Sequence, residues 1–166
     1  MTNIFFKFWR TSSVVIITAV ILFCYTNLPD SIAIGHDDQG YPNRFINKQQ
    51  FFYWTVGIVF SINILMDLLK GLLLKIDFKG LNSSSAWANE PTALKALITG
   101  WFSAFLAFVN TYLIFVILGL NNINSRKGQM LDFNYNWLLI FGVFVLMILL
   151  FFVPLRLLFS NPTPED

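Results

Sequence analysis

The sequence predicts an all-α membrane protein, in which four transmembrane helices form one small bundle and a structured loop lies outside the membrane. Composition is the first observation, because 56% of the 166 residues are hydrophobic and only 12% are charged. An ordinary soluble domain has roughly 25% charged residues. Size is the second, since so small a domain cannot hide this much apolar surface from water. Four long gaps between charged residues are the third.

The four charge-free gaps place the four spans. They are 18 to 30 residues long and lie between Arg10 and Asp30, Lys48 and Asp67, Lys95 and Arg126, and Asp132 and Arg156. A helix needs about 20 apolar residues to cross a hydrocarbon layer of roughly 30 Å. After the polar ends are trimmed, the predicted spans are 11–27, 51–74, 93–120 and 135–159. They form one domain, 1–159, which a short cytoplasmic tail follows at 160–166.

The first span has a second interpretation as a secretory signal, because Lys7 and Arg10 precede an apolar core. A signal would end in a small-x-small cleavage site. The residues from Thr26 to Pro29 fit such a site poorly. A retained helix is therefore predicted.

Basic residues predict the orientation of the bundle, because Lys and Arg that flank a span stay in the cytoplasm. With four spans, one side carries seven basic residues and the other carries four. The first group is Lys7, Arg10, Lys70, Lys75, Lys79, Lys95 and Arg156, and the second is Arg44, Lys48, Arg126 and Lys127. The excess predicts that both termini lie in the cytoplasm.

The outer loop between the first two spans has the composition of an ordered cap. Pro29 and Pro42 restrict the backbone, and Gly40 can adopt a left-handed turn. Asp37 and Asp38 can accept hydrogen bonds from nearby backbone amides. The loop is therefore predicted to be a compact hairpin on the membrane surface.

The same loop resembles the signature of the domain of unknown function 1648 family. That family has a Leu-Pro after its first span, then a His, a Gly, often a Pro, an aromatic residue and a Lys before its second span. The matching positions are Leu28, Pro29, His36, Gly40, Pro42, Phe45 and Lys48.

The inner loop is similar to that of longer, four-span members of the family, with Asn82, Trp87 and Glu90 at comparable spacing. Gly35 stands where a Pro usually precedes the His. The same domain occurs in the immunity protein for the sporulation-delaying toxin. The resemblance implies a multi-pass protein of the bacterial inner membrane, and it supplies little chemistry.

A second interpretation of the loop is a metal or proton site at His36, Asp37 and Asp38, because imidazole and carboxylates bind divalent ions. Adjacent side chains seldom converge on one ion, and His36 is the only histidine of the sequence. A structural zinc site needs about four ligands. No metal site is therefore predicted. Eight loop residues are instead predicted to serve packing or partner recognition as a candidate interaction site: Pro29, His36, Asp37, Asp38, Gly40, Pro42, Phe45 and Lys48.

Four of the polar residues within the spans are singled out as candidates for a role inside the membrane. Asp67 and Lys70 stand near the inner boundary at i,i+3 spacing, which allows an ion pair on one helix face. Asn63 and Asn110 stand at mid-span and should hydrogen-bond to other helices, because lipid offers no partner. A stripe of small residues in the third span allows a close helix approach, either within the bundle or to a partner helix: Gly100, Ser103, Ala104 and Ala107.

The function predicted from these features is that of a membrane interaction protein, an accessory, regulatory or immunity-type component. No catalytic set, cofactor motif or basic nucleic-acid patch is found in the sequence, so an enzyme, a bound cofactor and a nucleic-acid partner are not expected. The expected partners are the lipid bilayer and another membrane protein or a second copy of the chain. The alternative is a small transporter or channel that acts as an oligomer.

Overall fold

A computed structural model describes residues 2–77 and 86–162. Its helices are α1 (Thr2–Asn27), α2 (Lys48–Leu73), the short α3 (Ala86–Asn89), α4 (Pro91–Asn124) and α5 (Asn136–Phe159). The strands β1 (Ser31–His36) and β2 (Pro42–Asn47) form an antiparallel pair between α1 and α2. A single 3-10 turn, Lys127–Gln129, follows α4.

Four of the helices are long and apolar enough to cross a membrane, which confirms the predicted number of spans. Two helices extend well beyond the predicted bounds, because α1 begins at Thr2 and α4 continues to Asn124, whereas α2 and α5 match their predicted spans to within three residues. No proline or glycine interrupts these two extensions, so the backbone hydrogen bonds continue beyond the predicted ends. The class all-α is wrong in one respect, since the outer loop contains the two-stranded sheet.

The helix α4 is the centre of the bundle. The helix α1 packs most extensively along it, whereas α2 and α5 contact it over shorter stretches. The stripe of small residues on α4 is buried within the bundle, which lets neighbouring backbones approach closely. Its members are Gly100, Ser103, Ala104 and Ala107.

The two ends of the bundle differ. At one end, called the hairpin end, Leu28 and Ile32 pack with the ends of α1, α2 and α4. At the other, called the terminal end, Trp87 of α3 packs with Leu94, Ile98 and Phe102 of α4.

Both the beginning of α1 and the end of α5 lie at the terminal end. Arg10 of α1 pairs with Asp67 near the end of α2. The indole Nε1 of Trp87 donates a hydrogen bond to the carbonyl oxygen of Ser160, at 2.6 Å. The guanidinium of Arg156 lies 5.7 Å from the centroid of the Trp87 ring. The predictions for Lys79, Asn82 and the last four residues of the tail fall outside the described residues.

Candidate functional site

The outer loop folds as a β-hairpin that is anchored in the core. Ile32 of β1 pairs with Ile46 of β2. Ile32 is completely buried, and Ile46 packs against the cluster at the hairpin end. Because side chains alternate between the faces of a strand, the paired Ala33 and Phe45 lie on the opposite face. The register shifts between Ala33 and Gly35, which marks a bulge.

The turn of the hairpin is built around Asp37. Its carboxylate oxygen Oδ1 accepts hydrogen bonds from the amides of Gln39, at 3.0 Å, and Tyr41, at 2.8 Å. Gly40 has a φ of +83°, and a Cβ there would lie 2.8 Å from the carbonyl oxygen of Leu131. Both the turn and this close approach require glycine. Asp38 is exposed at the tip of the turn.

The last residue of α4, Asn124, and the loop that follows it close the outer edge of β1. The side-chain amide of Asn124 accepts from the Ala33 amide at 2.7 Å and donates to the Ala33 carbonyl oxygen at 3.1 Å. Gln129 Nε2 donates to the carbonyl oxygen of Ser31 at 2.8 Å. The amide of Leu131 donates to the carbonyl oxygen of Gly40 at 2.9 Å.

His36 belongs to the same attachment. Its Nε2 lies 2.8 Å from the carbonyl oxygen of Gln129, so this nitrogen carries the proton in the contact. Within residues 2–77 and 86–162, no three His, Cys, Asp or Glu side chains come together in a way that could hold a metal ion. The structure therefore gives His36 a packing partner.

The remaining residues of the candidate interaction site lie at the ends of the two strands. Pro29 lies between α1 and β1, and Pro42 pairs with His36 at the far end of the ladder. Lys48 begins α2, and its Nζ lies 5.2 Å from the centroid of the Tyr25 ring.

The outer edge of β2 is open. Both backbone groups of Ala33 engage Asn124 and thus point away from β2, which makes Ala33 and Phe45 a non-hydrogen-bonded pair. The N–H and C=O of Phe45 consequently point away from β1. In the part of the chain that the structure describes, no hydrogen bond joins the backbone of residues 43–46 to a group outside the hairpin. Such an edge can accept another strand.

Several apolar and charged side chains of the hairpin are exposed. Phe45 is 48% exposed, Tyr41 is 52% exposed and Ile34 is 40% exposed. Arg44 is also exposed. The hairpin thus presents an apolar surface beside unpaired backbone groups.

At mid-span, the structure brings Asn63 and Asn110 together. Asn63 Nδ2 donates to Asn110 Oδ1 at 2.9 Å, and Asn110 Nδ2 donates back to Asn63 Oδ1 at 3.2 Å. Asn110 is completely buried and also lies 3.4 Å from the hydroxyl of Ser13. These bonds join α1, α2 and α4, and they satisfy amides that lipid cannot.

At the terminal end, Asp67 pairs with two cations. Lys70 Nζ lies 2.8 Å from Asp67 Oδ1, the contact that their spacing predicts. Arg10 of α1 contacts the other carboxylate oxygen. Sequence reasoning missed Arg10 as a partner. Arg10 directly precedes the first predicted span, and Asp67 lies near the end of the second, so the two residues are expected at similar depth in the membrane. This similarity of depth is a signal that could have indicated the pair.

Sequence reasoning also missed Asn124 and Gln129, which attach the hairpin. Their side chains lie 91 and 98 residues from their partners in the chain, so no local pattern indicates these contacts.

No protein-family model, curated protein or solved structure matches the chain. The resemblance to the domain of unknown function 1648 family therefore depends on the loop residues alone and stays a prediction.

Proposed function

We propose that the protein is a membrane interaction protein, an accessory, regulatory or immunity-type component of a bacterial inner membrane with both termini in the cytoplasm. In this proposal the hairpin binds an extended segment of a membrane-associated protein or peptide. The segment adds a strand to β2. The alternative of an oligomeric transporter or channel is an outcome of the test below.

The observation that carries the proposal is the difference between the two edges of the hairpin. The outer edge of β1 is closed by Asn124 and Gln129. The outer edge of β2 leaves the N–H and C=O of Phe45 without a partner among the described residues. A sheet with one closed and one open edge has a single position at which a third strand can be added.

The attachment of the hairpin also favours binding. The contacts from Asn124, Gln129 and Leu131 hold the hairpin against α4 and the loop that follows it. A strand that is already ordered loses little conformational entropy when a partner pairs with it. The exposed rings of Tyr41 and Phe45 then supply apolar area beside the added strand.

Photo-crosslinking in native membranes tests the proposal. A photoreactive amino acid at Tyr41 should give one discrete crosslinked species, because Tyr41 lies beside the open edge. The same amino acid at Leu139, an exposed position of α5, is the control and should label lipid. Phe45→Pro removes the outward N–H without removing a ladder bond and should abolish the species. Phe45→Ala keeps the N–H, so part of the crosslinked species should remain.

Thermal unfolding in mild detergent controls for the folding of the variants. If Phe45→Pro unfolds, Phe45→Asp replaces it, since a charge on the edge also opposes strand addition. A species that persists in a folded Phe45→Pro or Phe45→Asp variant contradicts strand addition. A species of twice the mass of this chain, together with ion conduction in liposomes, would instead establish the alternative function.

A further inference from the structure

A second feature lies at the terminal end, away from the hairpin. A groove of about 530 Å³ runs between α1, α2 and α4. Three basic residues line it, Lys7 and Arg10 from α1 and Lys70 from α2. The hydroxyl-bearing residues Thr99 and Ser103 of α4 form its opposite wall.

The charges in this groove do not balance. Asp67 provides one negative charge for both Arg10 and Lys70, whose side chains are only 22% and 21% exposed. Lys7 adds a third positive charge and makes no ion pair with any described residue. Lys7 is exposed, whereas Arg10 and Lys70 are largely removed from water, where an unbalanced positive charge is costly. The groove therefore has an excess of two positive charges.

The depth of the groove matches the position of lipid headgroups. From Arg10 to Asn27 the helix α1 rises about 26 Å at ~1.5 Å per residue. A hydrocarbon layer is roughly 30 Å thick. With Asn27 at one boundary of the membrane, Arg10 lies at the other, and Lys7 lies about one turn further out.

Apolar residues continue the groove toward the membrane centre. Val14 and Val15 of α1 also line it, and they are 39% and 64% exposed. A free phosphate ion makes no favourable contact with this apolar wall, whereas the acyl chain of a lipid can pack along it. Basic pockets between transmembrane helices are a recognised type of site for anionic lipid headgroups.

We infer that the groove between α1, α2 and α4 binds the phosphate group of an anionic phospholipid. Lys7, Arg10 and Lys70 face the phosphate, and Val14 and Val15 contact the acyl chain. This site is independent of the hairpin, so it holds or fails without regard to the proposed function.

Titration of the purified chain in detergent with fluorescent phosphatidylglycerol tests the inference. Lys7→Gln removes one cation that makes no ion pair with any described residue and should weaken binding about fivefold, and Lys7→Glu should weaken it about 25-fold. Lys75→Gln is the matched control, because Lys75 is exposed and does not line the groove. It should leave the affinity unchanged.

Two further probes separate the sources of the phosphate. Fluorescent phosphatidylcholine should bind at least tenfold more weakly than phosphatidylglycerol, and inorganic phosphate at millimolar concentration should not displace the lipid. Equal losses from Lys7→Gln and Lys75→Gln would show attraction by the general surface charge and overturn the site. Equal binding of both lipids, or displacement by inorganic phosphate, would also overturn it. Thermal unfolding shows whether each variant is folded.

Discussion

The helices α4 and α5 are the two most apolar spans, yet they are packed very differently. In the most apolar part of each helix, 39% of the residues of α4 are buried, against 11% in α5. The helix α5, the more apolar of the two, has only Leu138 and Gly142 buried. Hydropathy measures the preference for an apolar environment, and both lipid and protein provide one. The small and polar residues of α4 are the feature that distinguishes a packed helix from a lipid-facing one.

Truncation of one leucine in each helix should give the largest difference in the free energy of unfolding. Leu106 of α4 is completely buried, so Leu106→Ala should lower the free energy of unfolding by about 2–5 kcal/mol through lost contacts and a cavity. Leu139 of α5 is 58% exposed, and Leu139→Ala should change it by less than about 0.5 kcal/mol. Unfolding by denaturing detergent, with α-helical circular dichroism as the signal, measures both. Similar losses for the two variants would contradict the packing described here.

A close approach between α4 and α5, at Gly142, provides the second contrast. A Cβ on Gly142 would lie 2.4 Å from the ring of Tyr112, so Gly142→Ala should destabilise the protein by about 1–3 kcal/mol. Gly57 of α2 has no atom within 4 Å of its would-be Cβ, and Gly57→Ala should stabilise the protein by up to about 1 kcal/mol. Thermal unfolding in detergent compares them. Tyr112→Leu in the Gly142→Ala background should recover part of the loss, and no recovery would argue against the contact.

The smallest of the three expected changes in stability concerns the Asn63–Asn110 pair. This pair tests the contribution of the polar residues of α4. A double-mutant cycle with Asn63→Leu and Asn110→Leu should give a coupling energy of about 0.6–2 kcal/mol, since hydrogen bonds between transmembrane helices have modest net energies. The two single variants and the double variant are compared by detergent unfolding. A coupling energy of zero would mean that the two amides act independently, in conflict with their reciprocal hydrogen bonds.

The number of spans and their approximate positions could be predicted from the sequence, because charged residues cannot enter hydrocarbon without a large free-energy cost. The helix ends could not, because a helix continues beyond the membrane while nothing interrupts its hydrogen bonds. The hairpin turn could also be predicted from the sequence, from Asp37 and Gly40. Both residue types have local conformational preferences that act within a few positions.

The candidate sites were predictable only in part. Asp67 and Lys70 are neighbours on one helix, so their spacing indicates the contact. The third member, Arg10, is 57 residues from Asp67 in the chain and meets it only because α1 and α2 are antiparallel. The same holds for Asn124, whose role depends on where the hairpin lies on the bundle.

The sequence by itself determined that the chain forms four apolar helices and an ordered loop, since length, charge gaps and turn residues act locally. Only the tertiary structure decided which helix lies at the centre, which polar groups meet and which edge of the hairpin stays open. These depend on the rotation and pairing of helices. Many rotations bury nearly equal apolar area in lipid or protein, so the small residues and the few polar contacts select among them.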